Sequence, residues 1–259
     1  MVSASAGASV VVRPFQIGAD VVRDGAAIDD DDPLTGRTPM PPEAVVPGWR
    51  EAVRSHFLAM EQVGATLLRS IARGLGLSEH ELARPFVGGA SQMRLLRYLP
   101  RPADADGASA LVFRDNDQRM IVSEPHVDFG CLTQLLQDIT PGLQVRLPGG
   151  SWVDILPREG QLVVNCGRLL ATWTGGRTIA CEHRVLSPER ERFSIPFFFE
   201  PRLDWQIAPL PLANTAPFEP FLYGDYVWSS LPRVRRLFGN RQQRRRNDAA
   251  SEHTHRGPD

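Results

Sequence analysis

The stretch Ser123-Glu-Pro-His126-Val-Asp128-Phe-Gly130 decides how this chain is interpreted. In an extended strand, residues two positions apart project from the same face. His126 and Asp128 are therefore expected to reach one ion from a single strand. A further histidine, His183, lies far along the chain in Cys-Glu-His-Arg-Val and is expected to arrive from a distant strand.

Two imidazoles and one carboxylate on one side of a metal leave its opposite side open. This is the facial triad of non-haem Fe(II) sites, in which the open positions receive a co-substrate and dioxygen. Any one of these residues alone is more often an ordinary polar strand residue. Together, His126, Asp128 and His183 predict a metal site.

A second pair of residues follows the last of these histidines. Arg192 and Ser194 open an apolar, strand-like run, so their side chains share one face. A guanidinium fork beside a hydroxyl group is well suited to bind a carboxylate. The alternative is an outward-facing pair on the surface, which is the usual place of an arginine on a strand.

Composition excludes several functions. The chain has 259 residues, of which 42% are hydrophobic, enough for a substantial core, and its net charge of −1 gives no reason to expect nucleic acid or an anionic membrane as a partner. All 29 basic residues are arginine, and without lysine neither Schiff-base chemistry nor a Walker phosphate loop is possible. The exclusive use of arginine also suggests a GC-rich bacterial genome.

The three cysteines are too few and too irregularly spaced for a disulfide scaffold or a zinc ribbon, so they are interpreted as small buried hydrophobic residues. The first residues lack the basic start and apolar run of a signal peptide, and no apolar run approaches the length of a membrane span. These features predict a cytoplasmic protein.

Hydrophobic periodicity divides the chain into segments. Residues 1–48 are expected to be irregular, and helices are predicted over 49–85, with Ser78 as the cap of the second one. Short strands separated by Gly and Pro follow within about 91–205, which favours a sandwich or barrel. Residues 206–240 are expected to form a loop and helix that act as a lid, and 241–259 a disordered tail. The predicted strands are 93–99, 132–136, 143–147, 152–156, 161–165 and 193–199.

In this order and spacing, the motifs resemble the isopenicillin N synthase-like family of Fe(II)/2-oxoglutarate-dependent oxygenases. The block that begins His126-Val-Asp-Phe-Gly is similar to the metal-binding strand of that family, and Arg192-Phe-Ser194 is similar to its Arg-x-Ser motif. Arg94-Leu-Leu-Arg-Tyr98 resembles the strand whose tyrosine helps to bind 2-oxoglutarate. The resemblance covers residues from about 45 to about 205.

The resemblance implies a mainly β fold with flanking helices around a double-stranded β-helix (jelly-roll, cupin-like) core. It also implies Fe(II), 2-oxoglutarate and O2 as cofactor and cosubstrates. His126, Asp128 and His183 would bind the iron, while Arg192, Ser194 and Tyr98 would bind 2-oxoglutarate. The implied reaction is hydroxylation, desaturation or cyclisation of a small molecule with decarboxylation of 2-oxoglutarate to succinate, in a setting of bacterial secondary metabolism.

The chain departs from the family pattern at several places. Arg168 follows Gly167 where the family usually has Asp, and Leu99 separates Tyr98 from Pro100. The strands and helix that precede the long helix in the family are not matched, so we expect either a start that was assigned too late or a shortened member with an incomplete sheet edge. Two alternatives therefore stay open: an oxidase or cyclase that uses the triad without 2-oxoglutarate, and an inactive member that serves as a binding module. The retained Asp128 argues against halogenation. The oligomeric state and the substrate are not predicted.

Overall fold

The computed structural model describes residues 12–23, 34, 36–100, 113–117, 119–213 and 215–230. The tail predicted to be disordered, 241–259, lies outside these residues. Four helices are present: α1 (Trp49–Gly74), α2 (Glu79–Ala83), α3 (Arg168–Trp173) and α4 (Tyr223–Ser230). The strands are β1 (Val12–Ile17), β2 (Gln92–Tyr98), β3 (Phe113–Arg114), β4 (Met120–His126), β5 (Leu132–Gln137), β6 (Leu143–Arg146), β7 (Trp152–Asp154), β8 (Val163–Cys166), β9 (His183–Leu186), β10 (Arg192–Phe199), β11 (Gln206–Ile207) and β12 (Phe221–Leu222).

Two five-stranded antiparallel sheets form the core of the described fold. The first has the order β1-β2-β10-β5-β8 and the second the order β3-β4-β9-β6-β7, while β11 and β12 form a separate small ribbon. Neighbours within each sheet are mostly distant in sequence, as the crossing connections of a jelly roll require. The predicted jelly-roll fold is confirmed.

The long helix α1 covers the outer face of the first sheet. Its buried residues recur at helical spacing, and the ring of Phe57 meets that of Phe197 edge-on at 4.8 Å between centroids. Phe197 and Phe199 point from β10 toward this helix, so the alternate residues of β10 face the opposite side of the sheet. The predicted helix is confirmed, and it fixes which face of β10 is available for a site.

At Gly64, α1 lies close against the first sheet. A Cβ atom at this position would lie 2.5 Å from Cδ1 of Phe199 and 2.6 Å from Nε2 of Gln134. We expect Gly64→Ala to lower the free energy of unfolding by about 1–3 kcal/mol, because overpacking outweighs the better helix propensity of alanine. Gly74→Ala is the matched control, since nothing lies within 4 Å of a Cβ at that position. Chemical denaturation of both variants checks this prediction, and equal stabilities would contradict it.

The prediction that residues 1–48 are irregular is wrong for Val12–Ile17. This segment is β1, which pairs with β2 over six positions and so covers the edge of that strand. Pro14 within it lowers the strand signal in the sequence, yet proline is tolerated in a strand at the edge of a sheet. A short 3-10 turn, Ala19–Val21, follows it.

The six predicted strands correspond to β2, β5, β6, β7, β8 and β10, with ends that differ by at most two residues. The helix predicted after residue 205 begins at Tyr223. Ser78 caps α2 as predicted, its hydroxyl oxygen accepting a hydrogen bond from the backbone N–H of His80.

Among the described helices, none combines the length and the apolar character needed to span a membrane.

Candidate active site

The structure brings His126, Asp128 and His183 together. The two histidines are direct partners across β4 and β9, and their rings lie 4.3 Å apart between centroids. Nε2 of His126 is 3.9 Å, and Nε2 of His183 is 3.8 Å, from Oδ1 of Asp128. All three ligand atoms lie within 4.8 Å of one another, which is suitable for a single ion.

Both imidazole rings are oriented by backbone carbonyl groups. Nδ1 of His126 lies 2.7 Å from the carbonyl oxygen of Glu124, and Nδ1 of His183 lies 3.1 Å from that of Cys181. A ring whose Nδ1–H donates to a carbonyl keeps the lone pair of Nε2 free. Both Nε2 atoms therefore face Asp128 in the form that binds a metal.

Asp128 lies outside the strand on which it was predicted. β4 ends at His126, and its pairing with β9 contains two register shifts, so the chain leaves the sheet before it reaches Asp128. The following loop is tied to α3, because the backbone N–H of Arg168 donates to the carbonyl oxygen of Asp128. The triad therefore depends on this loop as well as on the two strands.

Two polar side chains hold the carboxylate of Asp128. Its Oδ2 accepts hydrogen bonds from Oγ1 of Thr133 at 2.6 Å and from Nδ2 of Asn165 at 2.9 Å. Thr133 and Asn165 are themselves cross-strand partners on β5 and β8. Because both hydrogen bonds use Oδ2, Oδ1 is left for a metal. Neither Thr133 nor Asn165 is among the site residues predicted from the sequence.

We expect Thr133→Val to weaken Fe(II) binding by about 10–100-fold, the usual cost of losing a partner that orients a metal ligand. Valine matches threonine in shape but cannot donate a hydrogen bond to Asp128. Thr133→Ser keeps the hydroxyl group and is expected to retain most of the affinity. Competition with a coloured Fe(II) chelator measures both, and equal affinities for the two variants would contradict this role.

Arg192 is fully buried at the start of β10 with part of its hydrogen-bonding capacity unused. Its Nε donates to the carbonyl oxygen of Thr140 at 3.3 Å, and Nη2 donates to Oε1 of Gln137 at 3.0 Å. The remaining nitrogen, Nη1, is buried and has no hydrogen-bond partner among the described residues. An unpaired buried donor on a cation is costly, so this atom indicates an anionic ligand.

Ser194 and Tyr98 complete this part of the site. Ser194 is buried and projects on the same side of β10 as Arg192. Tyr98 is the direct partner of Arg192 on β2, and the guanidinium group lies over its ring, 4.9 Å from the centroid. Burial lowers the pKa of Arg192 from its usual value, while Tyr98 and Asp138 raise it. These contacts fix the orientation of the guanidinium group.

One cavity of about 1090 Å³ joins the triad to Arg192. It lies between the two sheets, and most of its wall is apolar. Residues that line it from β2, β4, β5, β6, β8 and β9 are Leu96, Val122, Leu135, Leu143, Val163 and Val185. The donor set suits Fe(II), and the unpaired Nη1 of Arg192 suits one carboxylate of a short diacid whose other end reaches the metal.

Comparison with known proteins agrees with this geometry. The model of the 2OG-Fe(II) oxygenase superfamily matches residues 90–201. The 2-oxoglutarate-dependent dioxygenase frbA of Dothideomycetidae sp. (strain 11243) is 33% identical over 197 residues, which cover 70% of this chain and 55% of that protein. The 2-oxoglutarate-Fe(II) type oxidoreductase hxnY of Emericella nidulans is 35% identical over 174 residues, which cover 66% of this chain and 47% of that protein. The chain belongs to the 2OG-Fe(II) oxygenase superfamily.

A solved structure supports the same fold. A full-length protein of Neurospora crassa, crystallised in complex with alpha-KG, superposes with a TM-score of 0.70 at 25% identity, covering 85% of this chain and 66% of that one. The chain spans about half the length of the curated relatives it matches. The superfamily uses Fe(II), 2-oxoglutarate and O2. These curated relatives are fungal and give no support to a bacterial origin.

Proposed function

We propose that this chain is an Fe(II)/2-oxoglutarate-dependent oxygenase that acts on a small molecule. The observation that carries the proposal is the pairing, within one cavity, of a triad open on one side with a buried arginine whose Nη1 has no partner. His126, Asp128 and His183 would hold Fe(II), and Arg192 with Ser194 would hold the distal carboxylate of 2-oxoglutarate. Tyr98 would keep the guanidinium group of Arg192 in place.

When bound, iron and 2-oxoglutarate supply the oxidising power, and the cosubstrate is converted to succinate and CO2. The protein contributes orientation and exclusion of water. Thr133 and Asn165 hold the carboxylate of Asp128 so that only one oxygen is free, and the carbonyl groups behind both histidines fix their tautomers. The apolar wall would place a C–H bond of the substrate beside the metal in a dry environment.

The reaction type and setting are also part of the proposal. Hydroxylation is the outcome we propose, and desaturation or ring closure would use the same site. Bacterial secondary metabolism is supported only by the exclusive use of arginine over lysine. Binding of a small molecule is supported by the size and enclosure of the cavity between the sheets.

The test needs no substrate. Purified protein is loaded with Fe(II) without oxygen and titrated with 2-oxoglutarate, while the visible metal-to-ligand charge-transfer band is followed. Addition of O2 is then expected to produce succinate slowly. A saturable band supports the proposal. Bound iron without a band would favour an oxidase that does not use 2-oxoglutarate, and failure to bind iron would favour an inactive binding module.

A further inference from the structure

Glu200 is a buried acid that the proposed chemistry does not use. It directly follows β10, is 5% exposed and lines the same cavity as the triad. Alternate residues of β10 face this cavity, from Arg192 through Ser194 to Phe198, and Glu200 continues the row. At about 3.4 Å per residue, the α-carbons of Arg192 and Glu200 are separated by roughly 27 Å. A 2-oxoglutarate molecule held by Arg192 cannot reach Glu200, which is therefore available to a substrate.

The two oxygens of Glu200 have different surroundings. Oε2 accepts hydrogen bonds from the hydroxyl group of Tyr223 at 2.8 Å and from the backbone N–H of Cys131 at 3.1 Å. Oε1 accepts no hydrogen bond from the described residues. It is also not fully occluded, because it is not among the buried atoms without a partner. The bonds to Oε2 therefore fix the carboxyl group while Oε1 is presented to the cavity.

Gly130 makes room for this arrangement. A Cβ atom at position 130 would lie 1.6 Å from Oε1 and 2.4 Å from Cδ of Glu200. Oε1 therefore lies against the backbone of Gly130, in the loop that follows Asp128, and both Gly130 and Glu200 line the cavity. Phe129 and Phe198 contribute aromatic rings to the same cavity. The guanidinium group of Arg94 already lies over the ring of Phe198, 5.0 Å from its centroid, so Glu200 and not this ring has to hold the charge of a ligand.

No cationic side chain of the described residues forms an ion pair with Glu200. Burial raises the pKa of Glu200 to about 8, although the hydrogen bonds from Tyr223 and Cys131 lower it; the charge of Asp128 raises it further. Buried acids in proteins are normally paired with a positive charge. With a pKa of about 8, the carboxyl group is largely protonated at pH 7, and a basic ligand would take up its proton and supply the positive charge that the described residues do not.

We propose that Glu200 binds a basic nitrogen of the substrate, so that the substrate class is an otherwise largely apolar amine. The ammonium group would donate a hydrogen bond to Oε1, while the hydrocarbon part would lie against the apolar wall near the metal. This inference rests on the proposed function for the identity of the cavity as a substrate site. It assigns to Glu200 the choice of substrate and to Tyr223 the positioning of the acid.

The test uses pairs of probes that differ only in charge: 2-phenylethylamine and 3-phenylpropylamine, each with the alcohol of the same skeleton. Binding is measured by ligand-observed NMR to the anaerobic protein with Fe(II) and 2-oxoglutarate. We expect the amines to bind about 10-fold or more tightly than the alcohols, as a charge-assisted hydrogen bond in a buried site allows. Equal binding would overturn the proposal, and this comparison needs no variant.

Glu200→Gln identifies the residue responsible. Its amide oxygen can still accept from Tyr223 and Cys131, so we expect the amine preference to disappear while alcohol binding changes by less than about threefold. Glu219→Gln, an exposed site, is the matched control. A preference that persists in Glu200→Gln would overturn the assignment. The measurement is repeated on metal-free protein, where we expect the preference for amines over alcohols to persist. That result would exclude direct binding of the amine to iron.

The outcome is distinguishable from failure of the proposed function. Glu200 contacts neither Arg192 nor the triad through a hydrogen bond, so the 2-oxoglutarate charge-transfer band is expected to be unchanged in Glu200→Gln. A wild-type protein without that band, but with the amine preference, would refute the oxygenase function and keep the binding site. A charge-transfer band without the amine preference would support the oxygenase function and refute the binding of an amine by Glu200.

Discussion

His183→Ala is expected to abolish stoichiometric Fe(II) binding and with it the charge-transfer band and succinate formation. His183 is one of the three proposed ligands, and its Nδ1 lies 3.1 Å from the carbonyl oxygen of Cys181, which orients the ring. Loss of an outer partner already costs about 10–100-fold in metal affinity, so loss of a ligand should cost more than about 100-fold. Chelator competition and the visible spectrum measure the effect.

The matched control is His80→Ala, because His80 is exposed on α2, away from the cavity. It should bind iron as the wild type does. If His183→Ala kept its iron and its 2-oxoglutarate band, the triad would not be the metal site. Circular dichroism distinguishes loss of the ligand from loss of the fold.

Arg192→Ala is expected to retain iron but to lose 2-oxoglutarate affinity by about 30-fold to several thousand-fold. Removal of one member of a buried, hydrogen-bonded charge pair typically costs about 2–5 kcal/mol. Arg192→Lys should be nearly as weak, since an ammonium group cannot contact Gln137, Thr140 and a carboxylate in the geometry of the guanidinium fork. The midpoint of the 2-oxoglutarate titration gives the affinity.

Arg97→Ala serves as the control for Arg192→Ala. Arg97 lies on β2 beside the site but points to solvent, where it pairs with Glu191. Its removal should leave the titration unchanged. Normal 2-oxoglutarate binding in Arg192→Ala would mean that Arg192 binds some other anion, such as a carboxylate of the substrate, and would favour the oxidase alternative.

The sequence was sufficient to predict the elements with a strong pattern. The apolar stripe of α1 and the strand that begins at Arg192 are determined by local spacing, so both were predicted from it. His126, Asp128 and His183 were predicted as metal ligands because they form a motif in order. Residues of one motif share a function, and the structure then places their ligand atoms together.

What sequence could not predict depends on tertiary contacts. β1 has a proline and only one fully buried residue, so its strand character comes from pairing with β2. Asp128 lies beyond the end of β4 at His126, in a loop whose backbone is bonded to α3, and no local pattern encodes that contact. The role of Glu200 depends on a neighbour far along the chain, and that of Thr133 on a loop that brings it back to Asp128, five residues earlier. Both residues lie within apolar runs that indicate only core.

The direct pairing of His126 with His183 limits how the chain can change in length. In antiparallel strands, a slip of one residue turns every side chain to the opposite face. A single deletion within β9 would therefore direct one imidazole away from the other while leaving the composition of the strand almost intact. Insertions in the turn between β6 and β7, at Gly149 and Gly150, leave that pairing untouched. Natural length variation that preserves activity is therefore expected to accumulate in such turns and to be absent from β9.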